Sequence, residues 1–169
     1  QSKITFGSLQ GETVGNIIKA DPFLCVSVLN TAKGALPELS SIQTQLVGDY
    51  NLSNVLLAVS VGIHFGVPPS AIKKALENYQ PTNSRSQLIK KGNNTIILDA
   101  YNANPSSMKV AIENFAKLAG DHKIVMLGAM MELGEHAAAE HLALLELIAS
   151  KTFTHVVLVG DDFLAHQHA

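Results

Sequence analysis

Two kinds of hydrophobic pattern follow one another along the chain. Up to about residue 47, short apolar runs are interrupted by glycine and proline, as in a β-rich sheet. The predicted strands lie at residues 4–6, 14–19, 23–29 and 42–47. After Gly48 the apolar positions change to helical spacing, and Asn51 can cap a helix whose apolar face includes Val55 and Val59. Two prolines end this helix, and a second helix is predicted over residues 69–78.

The second half of the chain alternates strands with helices. Strands are predicted at residues 87–90, 95–98, 123–127 and 155–159, and helices at residues 105–118 and 138–149. This order implies crossover connections and a parallel sheet. The continuous apolar run at residues 156–159 predicts a strand that is covered on both faces. A polar stretch at residues 80–84 predicts a domain boundary, which divides the chain into units at residues 1–82 and 83–169. The predicted fold class is α/β.

Composition limits the kinds of binding partner and the cellular compartment that are expected for this protein. A hydrophobic content of 47% over 169 residues is enough for a sizeable core, and a net charge of −2 with no Trp provides no basic surface for a nucleic acid. The single Cys25, in an alternating apolar run, predicts a packed thiol and a reducing, cytoplasmic setting. No apolar run reaches the roughly 20 residues of a membrane-spanning helix, so no membrane partner is expected. The start without Met, in a strand-like run, hints at a piece of a longer protein.

A polar turn between a predicted strand and a predicted helix is the first candidate site. Its side chains are Asp99, Tyr101, Asn102 and Asn104. At the carboxyl end of a strand, an Asp can accept hydrogen bonds from ribose hydroxyls, and amides beside a helix N-terminus can hold a phosphate or carboxylate. A well-capped turn explains the same residue types, because Asn and Asp are common in turns and Pro105 suits a first helical turn. Spacing alone leaves both interpretations open.

Asn51 and Asn54 form the second candidate site. Three residues apart on a first helical turn, they lie on one face, and two carboxamides offer the donors and acceptors that recognise a nucleobase edge. Spacing alone favours the simpler role of a helix cap for Asn51. The third candidate is Arg85, just after the predicted boundary, where a guanidinium can meet a phosphate. A solvated surface arginine is the ordinary alternative.

The loop at residues 127–134 also lies between a predicted strand and a predicted helix. Glu132 is placed to contact a ligand amine, and Met130 and Met131 either pack under a cleft or fill the core. His141 either orients this loop or packs at the start of the next helix. The sequence contains no dinucleotide fingerprint, no nucleotide phosphate loop and no metal-ligand spacing of His with Cys or carboxylates.

These motifs, in their order and spacing, resemble the ATP-dependent Mur ligases. The matching segments are Gly48-x-Tyr50-Asn51-x-x-Asn54, Arg85, Asp99-Ala-Tyr-Asn-Ala-Asn-Pro-Ser-Ser-Met108, Leu127-Gly-x-Met-x-Glu-Leu-Gly134 and His141. The resemblance covers the chain from about Gly48, and Tyr-Asn-Ala-Asn-Pro is its most specific part. It implies that residues 1–82 are the end of a central ATPase domain and that residues 83–169 are most of a Rossmann-like C-terminal domain.

The resemblance also implies roles for single residues. Asn51 and Asn54 would read the adenine, Asp99 would hold the ribose, and Arg85 would approach the phosphates. Tyr101 would line the nucleotide side of the cleft. The substrate side would be lined by Asn102, Asn104 and Glu132. The family cofactors are ATP and Mg²⁺, and the ligands of the metal are expected outside this sequence.

The implied reaction forms an amide bond in peptidoglycan precursor synthesis. ATP phosphorylates a peptide carboxylate, and an incoming amine then displaces phosphate. The best-matching branch of the family joins a UDP-N-acetylmuramoyl tripeptide to D-alanyl-D-alanine, so these are the expected substrates. Missing N-terminal and central regions of the same protein are the expected partners. Without the phosphate loop and the metal ligands, the chain by itself is expected to be inactive and to bind ATP weakly or not at all.

Two alternatives stay open. A folylpolyglutamate-synthase-like or other amino-acid-adding ligase shares the architecture, although Tyr-Asn-Ala-Asn-Pro is not expected in it. A non-catalytic α/β binding module would keep the cleft and lose the ATPase. Ala129, where the family usually carries Asp, favours this last alternative.

Overall fold

The computed structural model describes residues 3–82 and 84–166. Asn83, in the predicted polar boundary, lies outside the described residues. Contacts between Cα atoms divide the chain into two units, Gln1–Leu98 and Asp99–Ala169.

A four-stranded sheet forms the first part of the N-terminal unit. Its strands, in order across the sheet, are β1 (Phe6–Gly7), β2 (Thr13–Ala20), β3 (Phe23–Asn30) and β4 (Ile42–Val47). β1 and β2 are parallel, and the other two pairs are antiparallel. The predicted β-rich sheet is confirmed, and β4 has the predicted bounds. The strand predicted at residues 4–6 is wrong in extent, because only Phe6 and Gly7 pair with β2.

Two helices pack on this sheet and enclose the core of the unit. A 3₁₀ turn at Asp49–Asn51 leads into α1 (Leu52–His64), and α2 (Pro69–Asn78) follows with the predicted bounds. Alternate residues of β3 point into the core, namely Leu24, Val26 and Val28. They pack with Val55, Leu56, Val59 and Ile63 of α1 and with Ile72 of α2. Burying each such side chain stabilises the fold by about 1.5–3 kcal/mol relative to leaving it exposed.

Cys25 lies on β3 between the core residues and is also buried. Its Sγ is 3.6 Å from the Oγ of Ser41, and the thiol is free. The prediction of a packed cysteine on a strand is therefore confirmed.

An antiparallel hairpin ends the N-terminal unit. It consists of β5 (Gln87–Lys91) and β6 (Asn94–Leu98), joined by a two-residue turn. Gly92 has φ of 58°, the left-handed conformation that such a turn requires at its first position. Among the described residues the two strands hydrogen-bond only to each other, and β5 lies against β4. The contacts therefore group this hairpin with the preceding residues, although the sequence predicts the domain boundary ahead of it.

The C-terminal unit alternates helices with strands. Its elements are α3 (Pro105–Lys117), β7 (Ile124–Gly128), α4 (Ala137–Ala149), β8 (His155–Val159) and α5 (Asp161–Leu164). β7 and β8 are parallel, with α4 as the crossover between them. This arrangement confirms the predicted α/β class. The core of the unit consists of Met108, Ile112, Met130, Leu144, Ile148 and Phe163.

The two faces of the β7–β8 pair differ in burial. Leu127 and Leu158, which are opposite each other, pack against the core that α3 and α4 provide. On the other face, Met126 is 73% exposed and Val159 is 61% exposed. The prediction that β8 is covered on both faces is therefore wrong for the described residues, because α3 and α4 contact each other and cover the same face.

Candidate functional site

Asn51 and Asn54 form a hydrogen-bonded pair at the start of α1. The Nδ2 of Asn54 donates to the Oδ1 of Asn51 at 2.9 Å, and the Nδ2 of Asn51 donates to the carbonyl oxygen of Val47 at 2.9 Å. Asn51 is buried and Asn54 is exposed. The Oδ1 of Asn54 and its second amide hydrogen make no hydrogen bond among the described residues. One acceptor beside one donor complements adenine, whose edge presents an amino group beside a ring nitrogen.

The side chain of Asn51 does not cap α1, so the simpler interpretation of the sequence is wrong at this residue. Its backbone, with φ of −76° and ψ of −5°, continues the 3₁₀ turn into the helix. A capping side chain instead needs an extended backbone to reach the N–H groups of the first turn. The carboxamide is therefore available to hold Asn54. The role of the pair toward a nucleobase stays a prediction.

Tyr50 connects the start of α1 to the segment before β5. Its hydroxyl oxygen lies 2.5 Å from the Oγ of Ser86. Its ring lies over Gly48, where a Cβ atom would overlap the ring, and Gly48 has φ of 100°. Only glycine adopts this backbone without strain, so the Gly48-x-Tyr50 spacing has a structural reason. Sequence reasoning missed the buried Ser86, because no local pattern marks a partner 36 residues away from Tyr50.

Two serines with left-handed backbone flank Arg85. Ser84 has φ of 56° and Ser86 has φ of 50°, in a region that residues other than glycine rarely adopt. Such conformations cluster at functional sites and persist where the surrounding structure holds them. Here the hydrogen bond between Tyr50 and buried Ser86 stabilises the conformation of Ser86. Arg85 itself is exposed, and its role toward a phosphate stays a prediction.

The turn after β6 carries three exposed polar side chains and one helix cap. The exposed ones are Asp99, Tyr101 and Asn102. Asn104 is the N-cap of α3, and its Oδ1 accepts hydrogen bonds from the Ser107 N–H at 3.0 Å and from the Ser106 Oγ at 2.9 Å. Of the two interpretations of this turn, a capping role is thus correct for Asn104. The ligand roles of all four residues stay predictions.

The loop after β7 is anchored at its start and carries an exposed carboxylate. The N–H of Ala129 donates to the carbonyl oxygen of Val159 at 2.8 Å. Met130 is buried in the core, whereas Met131 is 74% exposed. Glu132 is exposed and has left-handed backbone, with φ of 62°. Of the two alternatives for these methionines, core packing is confirmed for Met130 and is excluded for Met131.

His141, on α4, lies beneath this loop and is completely buried. Its ring accepts a hydrogen bond from the Met130 N–H and also contacts the ring of Phe163. The sequence leaves two roles open for His141, orienting the loop and packing. The hydrogen bond to Met130 suits the first role, and the contact with Phe163 suits the second.

Residues 3–82 and 84–166 contain neither a cluster of metal ligands nor a membrane-spanning helix. This part of the chain has no group of three or more His, Cys, Asp and Glu side chains that could hold a metal ion. Each of its helices is too short or too polar to cross a bilayer.

Comparison with protein families identifies the C-terminal half. A family model described as "Mur ligase, glutamate ligase domain" matches residues 84–169, which is half of the chain. The chain belongs to the Mur ligase family. The resemblance carried by the motifs from Gly48 onward is thereby confirmed.

Curated relatives in this family include two UDP-N-acetylmuramoyl-tripeptide–D-alanyl-D-alanine ligases. The chain is 33% identical to the one from Treponema pallidum over 122 residues, and 40% identical to the one from Bacillus subtilis over 92 residues. These alignments cover 72% and 53% of this chain, and 26% and 20% of the two ligases. The chain thus spans about a quarter of the length of the curated relatives that it matches.

Solved structures with the same fold include MurF ligases and a folylpolyglutamate synthase. MurF from Acinetobacter baumannii aligns with a TM-score of 0.81 at 30% identity, over 96% of this chain and 34% of that chain. A MurF ligase from Thermotoga maritima, solved in complex with ADP, aligns with a TM-score of 0.72 at 18% identity, over 98% and 42% of the two chains. A folylpolyglutamate synthase from Thermotoga maritima aligns with a TM-score of 0.60 at 14% identity, over 94% and 42%. The last two likenesses show the fold alone.

Proposed function

We propose that this chain is part of an ATP-dependent ligase that adds D-alanyl-D-alanine to a UDP-N-acetylmuramoyl tripeptide in peptidoglycan precursor synthesis. The observation that carries the proposal is the identity of 33% and 40% to two ligases that bear this name. The geometry supports the use of ATP in this proposal, because the Asn51–Asn54 amide pair suits an adenine edge. As an isolated piece, the chain would not catalyse the reaction.

The proposed nucleotide contacts follow from the chemistry of each side chain. Asn54, held by Asn51, would donate to and accept from adenine. The Asp99 carboxylate would accept hydrogen bonds from the ribose hydroxyls, and Tyr101 would line the nucleotide. Arg85 would bind phosphate oxygens, for which a permanently charged, forked donor is well suited.

The proposed substrate contacts are Asn102, Asn104 and Glu132. The exposed carboxylate of Glu132 would attract the amino group of the incoming dipeptide. Asn104 would use its Nδ2, because its Oδ1 caps α3. The substrate side would thus present amide donors and one carboxylate.

ATP would supply the phosphoryl group that activates the substrate carboxylate. The described residues fit its adenine end, and the Arg85 guanidinium would offset phosphate charge. They contain no cluster that fits Mg²⁺, so the ligands of the metal are proposed to lie in other segments of the longer protein. Residues 1–82 would be the end of the ATP-binding domain and residues 83–169 most of the C-terminal domain. A cytoplasmic location accords with the buried, free Cys25.

The activity can be tested on the full-length protein that carries this chain. ADP release should require both a UDP-N-acetylmuramoyl tripeptide and D-alanyl-D-alanine, with L-alanyl-L-alanine as the matched control. ADP release with a folate and glutamate instead would favour the folylpolyglutamate-synthase-like alternative, with which the fold is shared. Absence of ATP turnover with either substrate set would favour a non-catalytic binding module.

The nucleotide role of Asp99 can be tested by Asp99→Ala in the same protein. Loss of a hydrogen bond to a charged group is expected to raise the KM for ATP about tenfold or more. Asp121→Ala, a change at an exposed aspartate in the loop before β7, is the matched control and should leave this KM unchanged. An unchanged KM in Asp99→Ala would remove Asp99 from the site.

The chain by itself should bind ATP weakly or not at all, because it carries no phosphate loop. Titration calorimetry of the 169-residue chain with ATP checks this expectation. A dissociation constant in the micromolar range or tighter would contradict it.

A further inference from the structure

The completely buried His141 uses both of its ring nitrogens. Nε2 accepts a hydrogen bond from the Met130 N–H at 3.0 Å, and Nδ1 lies 2.7 Å from the carbonyl oxygen of Ala137. A carbonyl oxygen can only accept, so Nδ1 carries the hydrogen. A backbone N–H can only donate, so Nε2 carries none. The two contacts together require the neutral ring with its hydrogen on Nδ1.

The position of the ring is fixed on its other sides as well. Phe163 contacts it edge to face, with ring centroids 4.9 Å apart and an interplanar angle of 83°. Met130 and Phe163 belong to the core of the C-terminal unit. Rotation of the imidazole would break both hydrogen bonds and this packing together.

The Met130 N–H is one of two backbone anchors at the start of the loop. The other is the Ala129 N–H, which donates to the carbonyl oxygen of Val159 at the end of β8. Immediately after these anchors, Met131 and Glu132 are exposed, and Glu132 adopts the left-handed backbone conformation. The start of the loop is therefore fixed by hydrogen bonds to β8 and to His141.

We propose that His141 is a positioning residue, which holds the loop carrying Glu132 in one conformation by accepting the Met130 N–H at Nε2. The hydrogen bond between Met130 and His141 does not depend on whether the protein is a ligase. The link from this loop to a substrate rests on the proposed function, in which Glu132 contacts the incoming dipeptide.

The first test measures the hydrogen bond in this chain by NMR. The wild-type ring should show the tautomer with hydrogen on Nδ1 and a coupling across the hydrogen bond between Nε2 and the Met130 nitrogen. The opposite tautomer would overturn the proposal. This measurement needs no variant, so it remains decisive if a substitution at the buried site prevents folding.

Hydrogen exchange of the Met130 amide provides the second readout. His141→Leu removes the acceptor and should accelerate this exchange about tenfold relative to the amide of Val125 in β7. His141→Gln offers an Oε1 at a similar reach and should restore most of the protection. His136→Gln, at an exposed histidine beside the same loop, is the control and should have no effect. Equally accelerated exchange of the Met130 and Val125 amides would indicate general destabilisation. It would contradict a specific role of His141 at Met130.

The third readout separates the hydrogen bond from its functional consequence. In the full-length ligase, His141→Leu and Glu132→Gln should each raise the KM for D-alanyl-D-alanine several-fold, with little change in the KM for ATP. The double variant should be no worse than the more severe single one, because both changes remove the same contact. If the NMR results hold but this KM does not move, the link to the substrate is overturned. If the protein has no ligase activity, the proposed function fails, while the NMR test stands.

Discussion

Asn51 and Asn104 stand at the N-caps of α1 and α3, two helices of 13 residues each, and their side chains are used in opposite ways. Asn104 accepts hydrogen bonds from the first turn of its own helix. Asn51 donates backward to the end of β4 and accepts from Asn54. One asparagine stabilises a helix terminus, and the other holds the exposed amide of Asn54.

Backbone conformation explains the difference between these two asparagines. Asn104 precedes Pro105, which disfavours the helical region for the residue before it, and its φ of −141° and ψ of 160° are extended. From there its Oδ1 reaches the Ser107 N–H. Asn51 precedes Leu52 and continues a 3₁₀ turn, so its side chain points to the preceding strand. The same residue type at the same helix position therefore has no fixed role.

Asn→Asp substitution should destabilise the protein at Asn51 and have almost no effect at Asn104, and this is the largest expected effect. Asn51→Asp removes the donor to the Val47 carbonyl oxygen and should lower the free energy of unfolding by about 1–3 kcal/mol. Asn104→Asp keeps the acceptor beside a helix N-terminus and should change it by less than about 0.5 kcal/mol. Urea unfolding of the chain measures both. Equal destabilisation by the two changes would break the comparison.

Loss of the cap itself should have the next largest effect. Asn104→Ala removes the hydrogen bonds to Ser106 and Ser107 and should destabilise the C-terminal unit by about 1 kcal/mol. Asn104→Ser keeps a capping oxygen and should recover most of that loss. Exchange of the Ser107 amide reports on the cap directly. An unaffected Ser107 amide in Asn104→Ala would contradict the capping role.

The hydrogen bond between Tyr50 and Ser86 extends the comparison to the neighbour of Asn51. Tyr50→Phe keeps the ring over Gly48, removes the hydroxyl, and should cost about 0.5–1.5 kcal/mol in the free energy of unfolding. Ser86→Ala should cost a similar amount. Thermal unfolding of both single variants and the double variant forms a cycle in which the two losses should not add. Additive losses would show that the two hydroxyls act independently.

Asn54→Ala should have the smallest effect on stability, below about 0.5 kcal/mol, because the side chain is exposed. Its effect should instead appear in the full-length ligase as a KM for ATP raised about tenfold. Ser53→Ala, at an exposed residue on the same turn, is the matched control. A KM for ATP that stays at the wild-type value would remove the amide pair from the nucleotide site.

The sequence predicts elements accurately where strong start and stop residues bound them. α2 begins at Pro69, and β8 runs from His155 to Val159, both as predicted. Prolines and polar turns act within a few residues, so their effect is visible in the local pattern. The covering of β8 differs from the prediction, because the face that the helices cover depends on how α3 and α4 pack together.

By itself, the sequence determined the α/β class, most of the element bounds and, through its motifs, the family. These properties depend on the spacing of residues that are close along the chain. Only the tertiary structure decided that the Asn51 side chain turns to Val47, that Tyr50 meets Ser86, and that His141 holds Met130. The physical reason is the same in each case. A side chain forms its hydrogen bond with whichever group the folded backbone brings within about 3 Å, and no local pattern encodes that distance.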